Sequence, residues 1–275
     1  MIRDGRTIAQ AKATETDCDV LIVGGGPAGI TLALEMQGSG QKVMLLESGG
    51  DDFDERAQDL NEGILTGLEE TDLTAARLRL LGGASNHWGG HCLPLDKIDF
   101  ARAPLSGLTG WPMSYADMQG AYETASQYCE IGAFDYNLET LENFDRDSLL
   151  LDDPRIETRL IRQSKPTNFG ITYAPALEEA EDIDLWLWTT VTGIEIDAFG
   201  AVSAVLTRSI EGAEGHFTAR AVVLACGAVE NARILLANNV RIGASFGNQC
   251  GLLGACYMDH PVGGSRLSAP CPSYA

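Results

Sequence analysis

The chain has 275 residues, 45% of them hydrophobic, with 39 acidic against 19 basic residues and a formal net charge of −20. That apolar content and length bury a real core, which excludes disordered and fibrous classes. The acid excess argues against a nucleic-acid or anionic-membrane partner. Most of it lies in three windows, 51–72, 130–157 and 178–184, which hold 23 acids and 3 bases and leave the rest neutral. Such blocks read as solvated surface inserts between apolar segments. No apolar run reaches the length of a membrane span, and the polar start of the chain has no secretory h-region. Seven cysteines without C-x-x-C spacing point away from a disulfide scaffold or structural zinc, and toward reduced thiols in a cytoplasmic enzyme.

In chain order, residues 1–18 read as a tail. Asp19 to Val23 is a short buried-type strand, and Gly24-Gly25-Gly26-Pro27-Ala28-Gly29 comes directly after it. A helix fits Ala28 to Gln37, closed by Gly38 and Gly40, and Lys42 to Glu47 is a second buried parallel strand. Together these make a complete β-α-β unit. A helix is expected after Ser114, with Asp117 as its capping partner. Residues 130–184 show no long periodic run and read as an insertion or cap segment. Leu185 to Thr192, Ala201 to Thr207 and Phe217 to Ala225 then form an antiparallel meander whose last strand re-enters the buried sheet. A helix over Ala228 to Asn238 comes next, and 243–275 is irregular.

The glycine fingerprint carries the first chemistry. Gly24 permits a tight turn, Gly26 lets the backbone approach a pyrophosphate, and Gly29 allows close helix–strand packing. The helix start adds free N–H groups and a positive dipole end for that anion. Glu47 ends the next strand, where an acid accepts hydrogen bonds from ribose hydroxyls and disfavours a 2′-phosphate. This unit alone does not separate NAD from FAD; the downstream segments do. A long interruption, a meander and the run Val222-Val223-Leu224-Ala225-Cys226-Gly227 resemble two-dinucleotide-binding flavoproteins, which favours FAD. In such proteins the residue near Val191 contacts the adenine, beside the turn at Cys226 and Gly227.

Gly82-Gly83-Ala84-Ser85-Asn86-His87-Trp88-Gly89-Gly90, taken with the fingerprint and Glu47, resembles the glucose–methanol–choline (GMC) oxidoreductase family. Gly110-Trp111-Pro112, the 225–233 run and Met258-Asp259-His260-Pro261 resemble its bacterial sugar- and alcohol-dehydrogenase branch. The resemblance implies an α/β, Rossmann-like FAD/NAD(P)-binding fold, a parallel sheet plus an antiparallel β-meander, with a partial substrate or cap domain. It divides the chain into a tail (1–18), a first FAD-binding segment (19–129), an insertion (130–184), a second FAD-binding segment (185–242) and the start of a substrate domain (243–275). In the family a loop matching Gly82, Gly83, Ser85, Asn86, His87, Trp88 and Gly89 passes over the flavin ring. His87 stands where some members bond covalently to the flavin; the alternative is a histidine beside a noncovalent flavin. His87, His91 and Cys92 do not make a metal site, because Gly89 and Gly90 break the helix that such spacing needs.

The implied activity is oxidation of an alcohol or sugar CH–OH group by hydride transfer to flavin N5. The reoxidant is oxygen, a quinone or a cytochrome, and an acceptor subunit that also assists export is open. The family's catalytic histidine with its histidine or asparagine partner has no match after Pro261, and Ala255 replaces a usual basic residue. The 275 residues therefore read as the N-terminal part of a longer enzyme, with no catalytic residue of their own. The alternatives are a non-catalytic remnant that binds the ADP half of a dinucleotide, and an NAD-dependent dehydrogenase.

Overall fold

The computed structural model describes residues 1–10, 16–67, 72–101, 110–141, 159–255 and 257. The Met258–Pro261 motif lies outside them. Strand β1 is Ile2–Asp4, β2 is Thr16–Val23 and β3 is Val43–Leu46, with helix α1, Pro27–Glu35, between the last two. Short helices α2 (Glu55–Asp59), α3 (Leu73–Ala76) and α4 (Lys97–Ala101) come next, with the two-residue strand β4 (His91–Cys92) before α4. Helix α5 is Gln119–Tyr128, β5 is Arg162–Gln163 and α6 is Phe169–Glu179. The chain continues through β6 (Ile183–Leu187), β7 (Thr190–Ile196), β8 (Val202–Arg208), β9 (Glu214–Leu224) and helix α7 (Ala228–Ile242).

Seven strands form one sheet in the order β1-β6-β3-β2-β9-β8-β7. The first five are mutually parallel, and β9, β8 and β7 make the antiparallel meander. The fold is thus mixed α/β with a mostly parallel central sheet. All four residues of β3 are buried, as a strand covered on both faces requires. Alternation sorts the core into two layers. Ile22 and Leu45 meet α1 and α6 through Ile30, Ala33 and Leu177. Leu21, Val23, Met44 and Leu46 meet the meander and α7 through Val191, Phe217 and Ile234. Among the described residues no helix is long and apolar enough to cross a membrane.

Three expectations are corrected. The tail is not one: Ile2–Asp4 pairs in parallel with Leu185–Leu187, and the Met1 amino group donates to the Ile183 carbonyl at 2.7 Å. Arg3 pairs with Asp184, and the Arg6 guanidinium lies 4.5 Å from the Trp188 ring centroid. A three-residue strand with one apolar residue carries no periodicity to read, so only the edge it pairs with reveals it. The single strand expected over Leu185–Thr192 is two. It breaks at Trp188, whose φ of 58° is left-handed, so that β6 joins the parallel sheet and β7 the meander. The N–H groups of Trp188 and Thr189 donate across that break to the carbonyls of Gly49 and Glu47, both at 2.8 Å.

The third correction concerns 130–184, whose last part is scaffold. Helix α6, capped by the Asn168 side chain on the Ile171 N–H at 3.1 Å, packs on α1 and leads into β6. Residues 142–158 of that range lie outside the described residues. The expected cap at Ser114 is present: the Ser114 N–H donates to the Asp117 carboxylate at 2.8 Å, and the Asp117 N–H to the Ser114 hydroxyl at 3.4 Å. Helix α7 runs four residues past Asn238 and ends on Gly243, whose φ of 65° suits a glycine cap.

Candidate functional site: a dinucleotide cleft at the sheet's carboxyl edge

The register aligns Val23 with Leu46 and with Leu224, and Leu46 with Trp186. The turns after β2, β3 and β9 therefore open together at one edge, where ligands bind in open α/β sheets. A cleft of about 620 Å³ lies there. Of the sequence-predicted site residues it is lined by Gly24, Gly26, Glu47, Gly83, Val191, Cys226 and Gly227. Residues from both ends of the sequence thus form one set of walls.

The three fingerprint glycines have different surroundings. Gly24 has a φ of 108°, and a Cβ there would come within 2.8 Å of the Ala225 carbonyl oxygen. At Gly26 an added Cβ meets nothing within 4 Å, so the backbone faces open cleft. At Gly29 a Cβ would collide with the Gly24 carbonyl oxygen, so α1 rests directly on the turn. Pro27 opens α1 and has no N–H to leave unpaired. The first-turn amides point outward without intrahelical acceptors. This cradle fits a pyrophosphate.

Glu47 sits beside it, 6% exposed. Its two oxygens accept from the N–H groups of Gly25 and Gly49, each at 2.8 Å. Burial holds the carboxyl above its usual range, against those two amide bonds and the Arg79 charge. The Ser48 hydroxyl donates to the same carboxylate at 3.3 Å, so of about four acceptor positions one remains, on Oε2, for a ribose hydroxyl. On the opposite wall, Gly227 caps α7 with φ 80° and ψ 165°, a conformation open essentially to glycine. Burial pushes the Cys226 thiol up to about 12. It stays protonated and donates to the Val23 carbonyl at 3.0 Å.

The Gly82–Gly90 loop is split in its roles. Gly83 lies against the fingerprint, since a Cβ on it would stand 3.2 Å from the Gly26 Cα, and the Gly82 N–H donates to the Gly25 carbonyl at 2.7 Å. Ser85, Asn86 and Trp88 turn away from the cleft toward the start of α6. The Ser85 hydroxyl accepts from the Phe169 N–H at 3.0 Å, Asn86 accepts from Asn168 at 2.7 Å, and the Trp88 indole donates to the Thr167 carbonyl at 2.9 Å. These side chains anchor the loop. His87 and Gly89 are exposed and do not line the cleft, and Gln163 donates to the Gly89 carbonyl.

A buried ionic cluster at the cleft was not anticipated from the sequence. Arg79, with a side chain 9% exposed, donates to Glu230 at 2.9 Å, to Asn61 at 2.8 Å and to Ser48 at 3.0 Å. Arg77 and Arg233 complete the shell around Glu230, at 3.3 Å and 2.5 Å. Burial alone would raise the Glu230 carboxyl, but Arg233 and Arg79 outweigh it and hold it down to about 2. The available signal was two arginines separated by one residue before a glycine pair, with Glu230 and Arg233 one turn apart.

An FAD binding domain model matches residues 17–104, from β2 through the fingerprint, Glu47 and the Gly82–Gly90 loop. The fold is an FAD-binding one. Among curated proteins, 2-methyl-1,2-propanediol dehydrogenase of Mycolicibacterium austroafricanum is 25% identical over 228 residues, 73% of this chain and 36% of that protein. Among solved structures, pyridoxine 4-oxidase from Mesorbium loti is similar with a TM-score of 0.50 and 18% identity, over 81% of this chain and 52% of that one. The chain therefore spans about a third of the length of the curated relative it matches.

Proposed function

We propose that this chain is the cofactor-holding part of a GMC-type, FAD-dependent oxidoreductase acting on the CH–OH group of an alcohol or sugar. The observation that carries the reading is convergence. The fingerprint, Glu47, Gly83 and the Cys226–Gly227 turn, remote from one another in sequence, line one cleft. The name of the 25%-identical relative, a diol dehydrogenase, supports the substrate class. Bound FAD supplies the hydride acceptor. The chain's own part is to bind and orient. The amides of the α1 start face the pyrophosphate, Glu47 accepts from a ribose hydroxyl, and Gly83 shapes the wall toward the ring. No residue of this chain is proposed as the catalytic base.

The test is anaerobic addition of primary alcohols, diols and sugars to the flavin-loaded protein that carries this chain. Bleaching of the flavin absorbance by at least one of them is expected; bleaching by none, with the flavin bound and reducible by dithionite, sinks the substrate class. The cofactor is proposed to be noncovalent, because His87 is exposed and outside the cleft lining. Acid precipitation should accordingly release yellow flavin to the supernatant. Flavin retained in the pellet would show the His87 bond instead.

A further inference from the structure

Cys92 and Cys129 lie 37 positions apart in the chain and meet in the fold. Both are free, and the Cys129 thiol donates to the Cys92 sulfur. The Cys92 thiol in turn donates to the Gly90 carbonyl at 3.7 Å. A separate run of bonds brings the two backbones to the same place. The Ser164 N–H donates to the Gly90 carbonyl at 2.8 Å, the Ser164 and Thr167 hydroxyls are 3.0 Å apart, and the Thr167 hydroxyl donates to the Cys129 carbonyl at 3.3 Å.

Each main chain is pinned there. Cys92 pairs with Arg162 between β4 and β5, and its carbonyl accepts from the Tyr136 hydroxyl at 3.1 Å. Cys129 caps α5, with its N–H on the Ala125 carbonyl at 2.9 Å. The two sulfurs are thus held toward each other by the scaffold on both sides. Neither residue is fully buried, so a small solute reaches the pair. Among the described residues no third histidine, cysteine or carboxylate joins them in a metal-ligand group. What two facing thiols can do without a metal is join.

We propose that Cys92 and Cys129 form a disulfide by exchange with a low-molecular-weight disulfide, tying the exit of the Gly82–Gly90 loop to the end of α5. The site is independent of the FAD reading. With glutathione disulfide, Cys92 attacks first, since its thiolate keeps the Cys129 S–H as a donor. The Cys92 sulfur bonds one glutathione sulfur, the glutathione S–S bond breaks, and one glutathione leaves with the Cys92 proton. The Cys129 sulfur then displaces the second glutathione, which takes the Cys129 proton. Two protein thiols are oxidised by two electrons, and one glutathione disulfide is reduced to two thiols. Burial raises both thiols, Cys129 to about 12, so exchange is slow at neutral pH and quickens as pH rises.

The test equilibrates the wild-type chain, folded and in urea, with mixtures of reduced and oxidised glutathione. Remaining thiols are then alkylated, and the bonded cysteines are identified by peptide mass mapping. The Cys92–Cys129 bond should form in the folded chain with an equilibrium constant at least about tenfold above that of the unfolded chain, because the fold already holds the sulfurs together. The oxidised chain should also melt higher than the reduced one. C92S and C129S should lose both effects, and C129S should keep glutathione on Cys92. An equilibrium constant no higher in the folded chain, or pairing of either residue with another cysteine, overturns the proposal. An oxidised chain that melts lower than the reduced one overturns it as well, since the fold would then oppose the bond. The wild-type comparison decides the matter even where a serine variant fails to fold.

Discussion

Gly29→Ala should cost roughly 2–3 kcal/mol of stability and abolish FAD retention, whereas Gly26→Ala should keep the fold and lose only the cofactor. The two positions are three residues apart, and their surroundings are opposite. A methyl at Gly29 falls on the Gly24 carbonyl oxygen, with Leu45 Cδ1 only 3.3 Å away on the other side. Gly24 cannot yield. Its N–H is tied to the Leu46 carbonyl at 2.7 Å, and its φ of 108° is already one that side chains rarely adopt. Relief therefore requires α1 to lift from the sheet. At Gly26 φ is −81° and an added Cβ meets nothing. The folded chain accepts the methyl, and the unfolded chain loses freedom, a gain of about 0.4–1 kcal/mol. That methyl occupies the space where the pyrophosphate meets the backbone, so FAD affinity should fall by at least about tenfold. Thermal melts and FAD titrations of both variants decide the matter. A destabilised G26A that still binds FAD normally would reverse the assigned roles.

Glu230→Gln should destabilise the protein by about 3 kcal/mol at neutral pH, because it leaves the buried Arg79 guanidinium without its carboxylate. The pH dependence has a definite sign. The Glu230 carboxyl is held down to about 2 from an ordinary 4.5, so the folded state favours its ionised form. That contribution is complete above about pH 4.5 and is lost as pH falls toward 2. The difference in denaturant stability between wild type and E230Q should be constant from pH 7 to about 5, then shrink on acidification. Glu47, raised by burial, has the opposite dependence, but it is present in both proteins and cancels in the difference. A gap between the two proteins that stays the same from pH 7 to 3 would show that Glu230 gains nothing from its arginines.

The elements legible in the sequence were those marked by punctuation or by continuous apolar character. Glycines at 24, 26 and 29 between two fully apolar runs have few solutions besides strand, turn, helix and strand, which are β2, the fingerprint, α1 and β3. The Ser114–Asp117 cap was legible because its two side chains satisfy each other locally. What was missed depends on distant partners. Ile2–Asp4 becomes a strand only because β6 offers it an open edge. The break at Trp188 carries neither glycine nor proline, and a left-handed tryptophan is held there by bonds to Gly49 and Glu47. Helix α6 was obscured by an acidic C-terminal end and an internal Pro175. Within the site, charge misled most. Arg79 and Glu230 count as ordinary surface charges in a composition, and only the fold shows that they enclose each other. The bonds of Ser85, Asn86 and Trp88 to Phe169, Asn168 and Thr167 were not legible either, since they join residues about 80 apart in the chain.

The proposed seat of FAD is the cleft between the fingerprint and the start of α7. Equilibrium dialysis of the 275-residue chain against FAD, with ADP as competitor, tests that most directly. One FAD should be retained per chain and displaced by ADP, since the pyrophosphate cradle and Glu47 are proposed to hold the ADP half. Retention of no FAD by the folded chain, or retention that excess ADP leaves untouched, would contradict it.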